Sequence, residues 1–282
     1  MIGTIDNLLN FTNDLFQKRE LKPIFSQLAT TAQYMWERGW AERNAGNFSV
    51  NLTGFFSAKE LERLTTYPFY PFSGRFPELV GNLFLVSGTG TRMRDIAVNP
   101  MDHVCFLYMA EQGDVFHIIS NHHEGAPTLP TSELTTHLTI HQRLVRTLSA
   151  DKVVLHAHVT ELIALTQLKA FQSEEAVNKL LKGMHPEISL FLPGGVGYIP
   201  YTLAGTDQIA IETMKGLANH KAVIWEKHGC ISISDSPDDA FDILDIVAKA
   251  ARIFFLASVS GHNPEGLQPD QIKEIRDHFP GK

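Results

Sequence analysis

Asp151–Thr160 reads DKVVLHAHVT, an apolar run closed by two histidines with a single alanine between them. Successive side chains of a β-strand point to opposite faces, so the continuous run Val153-Val154-Leu155 describes a strand buried on both sides. On such a strand His156 and His158 leave the same face with Cα atoms about 6.6 Å apart. Both imidazoles can then reach one ion. A polar pair ending an apolar run costs burial free energy unless it has a partner, and a metal is one such partner.

Downstream of the pair, Thr160-Glu161 opens a helix continued by Leu162, Ile163 and Leu165. Glu161 follows His158 by three residues and could pass for a third ligand, but in a first helical turn it complements the macrodipole. Ser173 to Gly183 reads as another helix. Ile188 to Leu192 reads as a strand with Glu187 at its start and Pro193-Gly194-Gly195-Val196-Gly197 at its end. Residues 206 to 218 are helical. Ala222 to Glu226 is a strand closing on Lys227-His228-Gly229, so His228 also stands at a strand end. Three histidines are the ligand set of an open catalytic zinc site, which keeps one position for substrate. A cupin would need short strands after the pair, where helical patterns follow, and an amidohydrolase barrel would need a longer chain. Pro237 starts a long helix with Phe241, Leu244, Val247, Ala250 and Phe254 on its apolar face, and Pro269 to His278 forms a last one.

Upstream, residues 24 to 38 carry Leu28, Ala32, Met35 and Trp36 at helical spacing, and Gly39 marks the stop. The turn Trp40-Ala41-Glu42-Arg43-Asn44-Ala45-Gly46-Asn47 leads into an alternating strand, Phe48 to Leu52. Taken alone it is a tight connection, since Asn and Gly tolerate positive φ. Residues 54 to 80 hold aromatics and prolines without a period and read as an ordered covering excursion. The strand Asn82 to Val86 runs into Ser87-Gly88-Thr89-Gly90-Thr91, followed by Arg92 and Arg94. Such a loop can cradle a phosphate through backbone N–H groups and hydroxyls, although it lacks the Walker spacing and a plain turn is the commoner use. Residues 103 to 109 and 115 to 120 form a hairpin. Ala126 to Glu133 then precedes a helical stripe of Leu134, Leu138, His141, Val145 and Leu148, with Thr131 or Ser132 as its cap and an N-terminus able to hold an anion. Glu133 reads first as a dipole-complementing carboxylate, and His141 as a core or boundary histidine.

With 282 residues, 44% of them hydrophobic, the chain can bury a large core, and no linker divides it. A single domain over 1–282 with an N-terminal helical segment at about 1–40 is expected. The formal net charge of −7 argues against a nucleic-acid binder. Two cysteines, Cys105 and Cys230, sit far apart in apolar settings, which argues for buried thiols in a reducing compartment. The start MIGTIDNLLNFTND has no leader pattern and no apolar segment reaches membrane-spanning length, so a soluble, cytoplasmic protein is expected, with no membrane partner.

In their order along the chain, these segments resemble the class II aldolase/adducin family over about residues 26 to 260. The resemblance rests on Gly39-Trp40-Ala41-Glu42-Arg43-Asn44 with Gly46-Asn47, Gly88-Thr89-Gly90, Pro127-Thr128 with Thr131-Ser132-Glu133-Leu134, His156-Ala157-His158, Pro193-Gly194-Gly195-Val196-Gly197, and Trp225-Glu226-Lys227-His228-Gly229. It implies an α/β fold of three layers, a central, mainly antiparallel sheet flanked by helices, assembled as a homotetramer with sites between subunits. It implies one Zn²⁺ per subunit on His156, His158 and His228, and Glu133 as the catalytic carboxylate. Asn44, Gly46, Asn47, Gly88, Thr89, Gly90, Thr131 and Ser132 match the segments that hold the phosphate and the enediolate, and Glu187 matches an acidic residue reaching the neighbouring subunit's site. The implied activity is reversible cleavage of a sugar phosphate, with L-rhamnulose 1-phosphate the expected sugar, to dihydroxyacetone phosphate and L-lactaldehyde through a metal-stabilised enediolate. Another sugar-phosphate aldolase, a 4-epimerase or a dehydratase would keep the three histidines, and an adducin-like module would keep the fold without the chemistry. Two departures stand out: Thr91 where relatives often carry lysine, which leaves phosphate neutralisation to Arg92 or Arg94, and Ala45 where they carry glycine.

Overall fold

The strand that carries His156 lies near the middle of a nine-stranded sheet. A computed structural model describes residues 12–120 and 127–279. Part of the expected N-terminal helical segment, residues 1–11, lies outside the described residues, as does Ala126; residues 12–16 are helical. In chain order the elements are α1 (Lys22–Glu37), β1 (Asn47–Asn51), α2 (Ala58–Arg63), β2 (Phe69–Pro71), β3 (Leu83–Ser87), α3 (Met93–Val98), β4 (Val104–Ala110), β5 (Val115–Ser120), α4 (Leu134–Arg146), β6 (Val153–Ala157), α5 (Thr160–Gln167), α6 (Glu174–Met184), α7 (Pro186–Phe191), β7 (Gly197–Ile199), α8 (Asp207–Gly216), β8 (Ala222–Trp225), β9 (Gly229–Ser234), α9 (Pro237–Ser258) and α10 (Pro269–His278).

The strands lie in the order β2-β5-β4-β3-β1-β6-β9-β8-β7. Every neighbouring pair is antiparallel except β7 with β8, which is parallel. Helices cover both faces. Val153, Leu155 and Ala157 of β6 pack into a cluster with Leu28 of α1, Leu162 of α5, Leu181 of α6 and Leu244 of α9. Val154 faces the other way, into a cluster with Ile140 and Leu144 of α4 and Ile209 of α8. The strand buried on both sides is thus present, and the architecture is the expected three-layer α/β arrangement with a mainly antiparallel sheet.

Several local expectations change. Ile188 to Leu192 is not a strand but lies in and just after α7, with Pro186 at its first turn. Proline presets the helical φ there. Ile188, Ser189 and Leu192 are buried while Phe191 is exposed, which is helical spacing; a short apolar run does not reveal its period unaided. Glu187 therefore sits in a helix first turn. The excursion 54–80 contributes α2 and β2, an edge strand paired with β5. Leu148 lies beyond the end of α4, at φ 52° and 92% exposed, so the stripe ends a turn early. Neither Thr131 nor Ser132 is the helix cap: Glu133 occupies the N-cap position without a side-chain cap bond, and the Thr131 hydroxyl accepts from the Glu133 N–H at 3.3 Å. The free Cys105 and Cys230 are both buried. Among the described residues no helix is long and apolar enough to cross a membrane.

Candidate metal centre and active-site cavity

The end of α1 aims the first wall of the site. Gly39 takes φ 72°, its N–H bonds the carbonyl of Trp36, and the Trp40 N–H bonds that of Met35, a Schellman closure that reverses the chain. Trp40 is then fully buried against Phe241, ring centroids 5.6 Å apart, and its indole N–H donates to Glu161 at 3.1 Å. Glu161 sits in the first turn of α5 as expected, accepts from the buried tryptophan, and is not among the three side chains that converge as ligands. The Trp40 carbonyl accepts the His158 N–H at 2.9 Å, docking the 40–47 turn onto the histidine pair. Gly46 needs its φ of 78°, and a Cβ there would come within 2.7 Å of the Met35 methyl.

His156 ends the buried part of β6, His158 stands one residue beyond the strand, and His228 sits in the hairpin between β8 and β9. One nitrogen from each converges, all within 4.8 Å of one another, with ring centroids 5.0 to 5.3 Å apart. The hairpin holds His228 by strain and anchorage: Lys227 adopts φ 60°, and its N–H donates to the Thr166 hydroxyl at 2.9 Å. Close packing forbids a side chain beside it, because a Cβ on Gly229 would meet the Ala157 carbonyl at 2.5 Å.

Outer contacts fix which nitrogen points inward. His156 Nδ1 donates to the Cys230 carbonyl at 3.1 Å and His158 Nδ1 donates to Glu42 at 2.7 Å, leaving each Nε2 with its lone pair. Burial, reinforced by the neighbouring His158, pushes His156 down to about 3. Burial and the two other histidines push His228 down to about 4. Both are neutral at physiological pH, the state a metal requires. Facing them, Glu133 Oε2 lies 3.7 Å from His156 Nε2, and both atoms are buried with no hydrogen-bond partner in the chain. An unsatisfied buried polar atom costs about 1 to 3 kcal/mol. Two such acceptors converging with two further imidazoles fit a bound cation, and the all-nitrogen donor set suits zinc.

A cavity of about 370 Å³ opens in front of this centre. Its walls are Glu42 to Asn47, Gly88 to Gly90, Thr131 to Glu133, His158 and His228. The glycine loop and the Thr131 turn are laced together, Gly88 bridging to Pro130, Thr89 N–H donating to the Leu129 carbonyl and Thr131 N–H to that of Ser87. Burial raises the Glu133 carboxyl above its ordinary range, opposed by the Asn47 side chain within hydrogen-bonding reach and by His228 and His158.

Residues 26–255 match the class II aldolase and adducin N-terminal domain family. The chain belongs to that family. It is 36% identical over 251 residues to rhamnulose-1-phosphate aldolase of Bacteroides thetaiotaomicron, covering 89% of this chain and 91% of that one. It is 31% identical to rhamnulose-1-phosphate aldolase of Listeria welshimeri, covering 87% and 86%. A sugar-phosphate aldolase from Thermotoga maritima superposes with a TM-score of 0.74 at 26% identity, over 88% of this chain and all of that one. This class II aldolase is therefore a lyase, and its histidine triad can bind a metal.

Of the residues singled out in the sequence, the fold brings Asn44, Gly46, Asn47, Gly88, Thr89, Gly90, Thr131, Ser132, Glu133, His158 and His228 onto one cavity, with His156 fully buried behind them. Glu187, on α7, is not on its wall. Gly88 and Thr89 spend their N–H groups on backbone carbonyls, so they do not offer them to an anion. Neither Arg92 nor Arg94 lines the cavity; Arg94 lies over the Trp36 ring at 5.3 Å. The cation that does line it is Arg43, held at φ 53°. A strained non-glycine residue costs about 1 to 3 kcal/mol and concentrates at functional sites.

His137 was the larger omission. It lies behind Asn47, wholly buried, with Nε2 2.5 Å from Asn47 Oδ1 and Nδ1 2.7 Å from the Ser49 hydroxyl, which is 2.8 Å from His141 Nε2. The signal was in the sequence: Asn47 and Ser49 share one face of a strand, His137 and His141 one face of a helix. Burial holds His137 well below its ordinary value and His141 down to about 3. Each folded value lies below the unfolded one near 6.5, so as pH falls below 6.5 the unfolded chain takes up protons the folded chain refuses. Stability then falls with acidification by up to about 1.4 kcal/mol per pH unit for each histidine. Calorimetric proton uptake on unfolding at pH 5 should accordingly drop by about one in His141→Gln. Equal uptake in the two proteins would refute the neutral buried state.

Proposed function

We propose that this chain is a zinc-dependent aldolase that reversibly cleaves L-rhamnulose 1-phosphate to dihydroxyacetone phosphate and L-lactaldehyde. The observation that carries the reading is the buried, unpartnered Oε2 of Glu133 facing the three imidazoles inside a cavity walled by hydroxyl and glycine segments. The names of the curated relatives supply the sugar.

His156, His158 and His228 would hold the metal, which when bound supplies Lewis-acid stabilisation of negative charge on the substrate oxygens. Glu133 moves the proton: in condensation it takes one from C3 of dihydroxyacetone phosphate, and in cleavage it returns one to that carbon. Raised by burial, its carboxyl is a stronger base than a surface glutamate. Thr89, Ser132 and the Gly90 backbone offer the phosphate neutral donors, and Arg43 supplies the positive charge that Thr91 does not. Among the described residues no lysine lines the cavity to offer an amine for a Schiff base. The whole chain acts as one catalytic domain in the cytoplasm. Glu187 serves the site of a neighbouring copy in a homotetramer, which agrees with its place on α7 away from its own cavity.

The test is coupled detection of dihydroxyacetone phosphate from zinc-loaded protein given L-rhamnulose 1-phosphate, L-fuculose 1-phosphate, L-ribulose 5-phosphate or unphosphorylated L-rhamnulose. Fastest release from the first is expected. Equal or faster turnover of another substrate, or none at all, would overturn the assignment.

A further inference from the structure

Glu133 shares its cavity wall with a side chain, Asn47, whose own orientation is set from the far side by groups buried away from the cavity. Register and periodicity build this arrangement. Asn47 pairs with His156 across β1 and β6, and Ser49 pairs with Val154, so both polar side chains share the face that carries His156 and is covered by α4. On α4, His137 and His141 lie one turn apart and meet Asn47 and Ser49 in turn. All four are buried.

With the Asn47 amide oriented as it stands, donor and acceptor chemistry sets one direction along these bonds. Asn47 Oδ1 can only accept, so His137 Nε2 carries the proton. His137 Nδ1 then has a lone pair and accepts from the Ser49 hydroxyl, whose oxygen in turn accepts from His141 Nε2–H. His141 Nδ1 is buried with no partner. The Asn47 NH₂ is left for the cavity wall that Asn47 shares with Glu133, where a donor opposes the burial that raises that carboxyl. With the ring in its other tautomer, the amide would turn over to donate to His137 and would set its carbonyl oxygen against the carboxylate, two acceptors facing each other in a buried site.

We propose that His137, backed by Ser49 and His141, is a positioning residue that locks the Asn47 amide with its donor toward Glu133 and so holds the catalytic carboxylate in its working orientation. The proposal deepens the functional reading above and rests on Glu133 being the base. It assigns a task to two buried histidines that neither touch substrate nor ligate metal. It also separates orientation from binding: the phosphate segments at Gly88 to Gly90 and Thr131 to Ser132 do not depend on this chain of bonds, so its loss should slow proton transfer without weakening substrate.

The test compares His137→Gln, whose terminal amide can still donate to Asn47 Oδ1, with His137→Leu, which cannot, and with Ser49→Ala, which removes the donor to Nδ1 while disturbing the packing least. Two readouts are taken on zinc-loaded full-length protein. The first is the rate of deuterium exchange at C3 of dihydroxyacetone phosphate, which needs no aldehyde. The second is the ring ¹⁵N spectrum of His137, which reports the tautomer without any turnover. Expected are an Nε2–H tautomer in the wild type and a fall in exchange kcat of about 10- to 100-fold in His137→Leu, the usual cost of losing an outer orienting partner. Metal content and KM should stay within about 2-fold, His137→Gln should recover most of the rate, and Ser49→Ala should show mixed tautomers and an intermediate rate. Equal exchange in the Gln and Leu variants, or an Nδ1–H tautomer in the wild type, would overturn the proposal. Where His137→Leu does not fold, Ser49→Ala decides alone, and a wild-type rate with an unchanged tautomer refutes it. Absence of exchange in the wild type would instead refute the aldolase reading, and the tautomer would still decide the locking of Asn47.

Discussion

Glu133→Gln retains a full complement of metal and loses about 10² to 10⁴ of its turnover, the range supplied by a positioned general base. The amide is nearly isosteric with the carboxylate and cannot take the C3 proton. His156 and His158 do not depend on Glu133 for their orientation, since the Cys230 carbonyl turns the first and Glu42 the second. Metal analysis by atomic emission and an assay of dihydroxyacetone phosphate release on the same preparation check both halves. A variant within a few-fold of wild type would remove Glu133 from its role, and one that had lost its metal would make Glu133 a ligand.

His156→Ala is expected to lose metal and activity together. The substitution takes away the most deeply buried of the three ligands and leaves His158 and His228 alone, at the edge of the cavity. Stability should fall too. His156 packs its ring 4.7 Å from that of Trp225, and removing it takes one hydrogen bond from the Cys230 carbonyl. Binding to the folded state alone adds about 4 kcal/mol at a metal concentration a thousand times Kd, so chelation should lower the wild-type Tm and zinc should restore it. The Tm of His156→Ala should not respond to either. Wild-type protein whose activity and Tm ignore exhaustive chelation would dismiss the metal centre, and a His156→Ala protein that still bound one zinc per chain would dismiss this ligand set.

Much of this was legible in the chain itself, because the relevant signals are local. The run Val153 to Leu155 announced a strand buried on both faces, and the sheet places it between two helix layers for that reason. Polar residues ending buried strands marked His156 and His228, and Gly39 marked the end of α1 through the left-handed conformation its closure needs. Where the pattern was too short to carry a period, it misled: Ile188 to Leu192 became helix because Pro186 favours a first turn and burial recurs at helical spacing.

What the sequence by itself determined was the set of reactive groups and the kind of element each stands on. Tertiary structure alone decided their company. His228 lies 70 residues beyond His158, and that span is closed by the β6–β9 pairing, whose register sets Ala157 opposite Cys230 and so brings the β8–β9 hairpin onto the pair. Chain spacing made Arg92 and Arg94 the candidates for the anion, but folding turns Arg94 onto Trp36 and puts Arg43 on the wall. His137 stands outside the apolar stripe read from the sequence and acquires a task only when β1 sets Asn47 and Ser49 against it. Side-chain type and periodicity travel with the chain. Which donor meets which acceptor depends on strand register and helix placement, and these are fixed only when the layers pack.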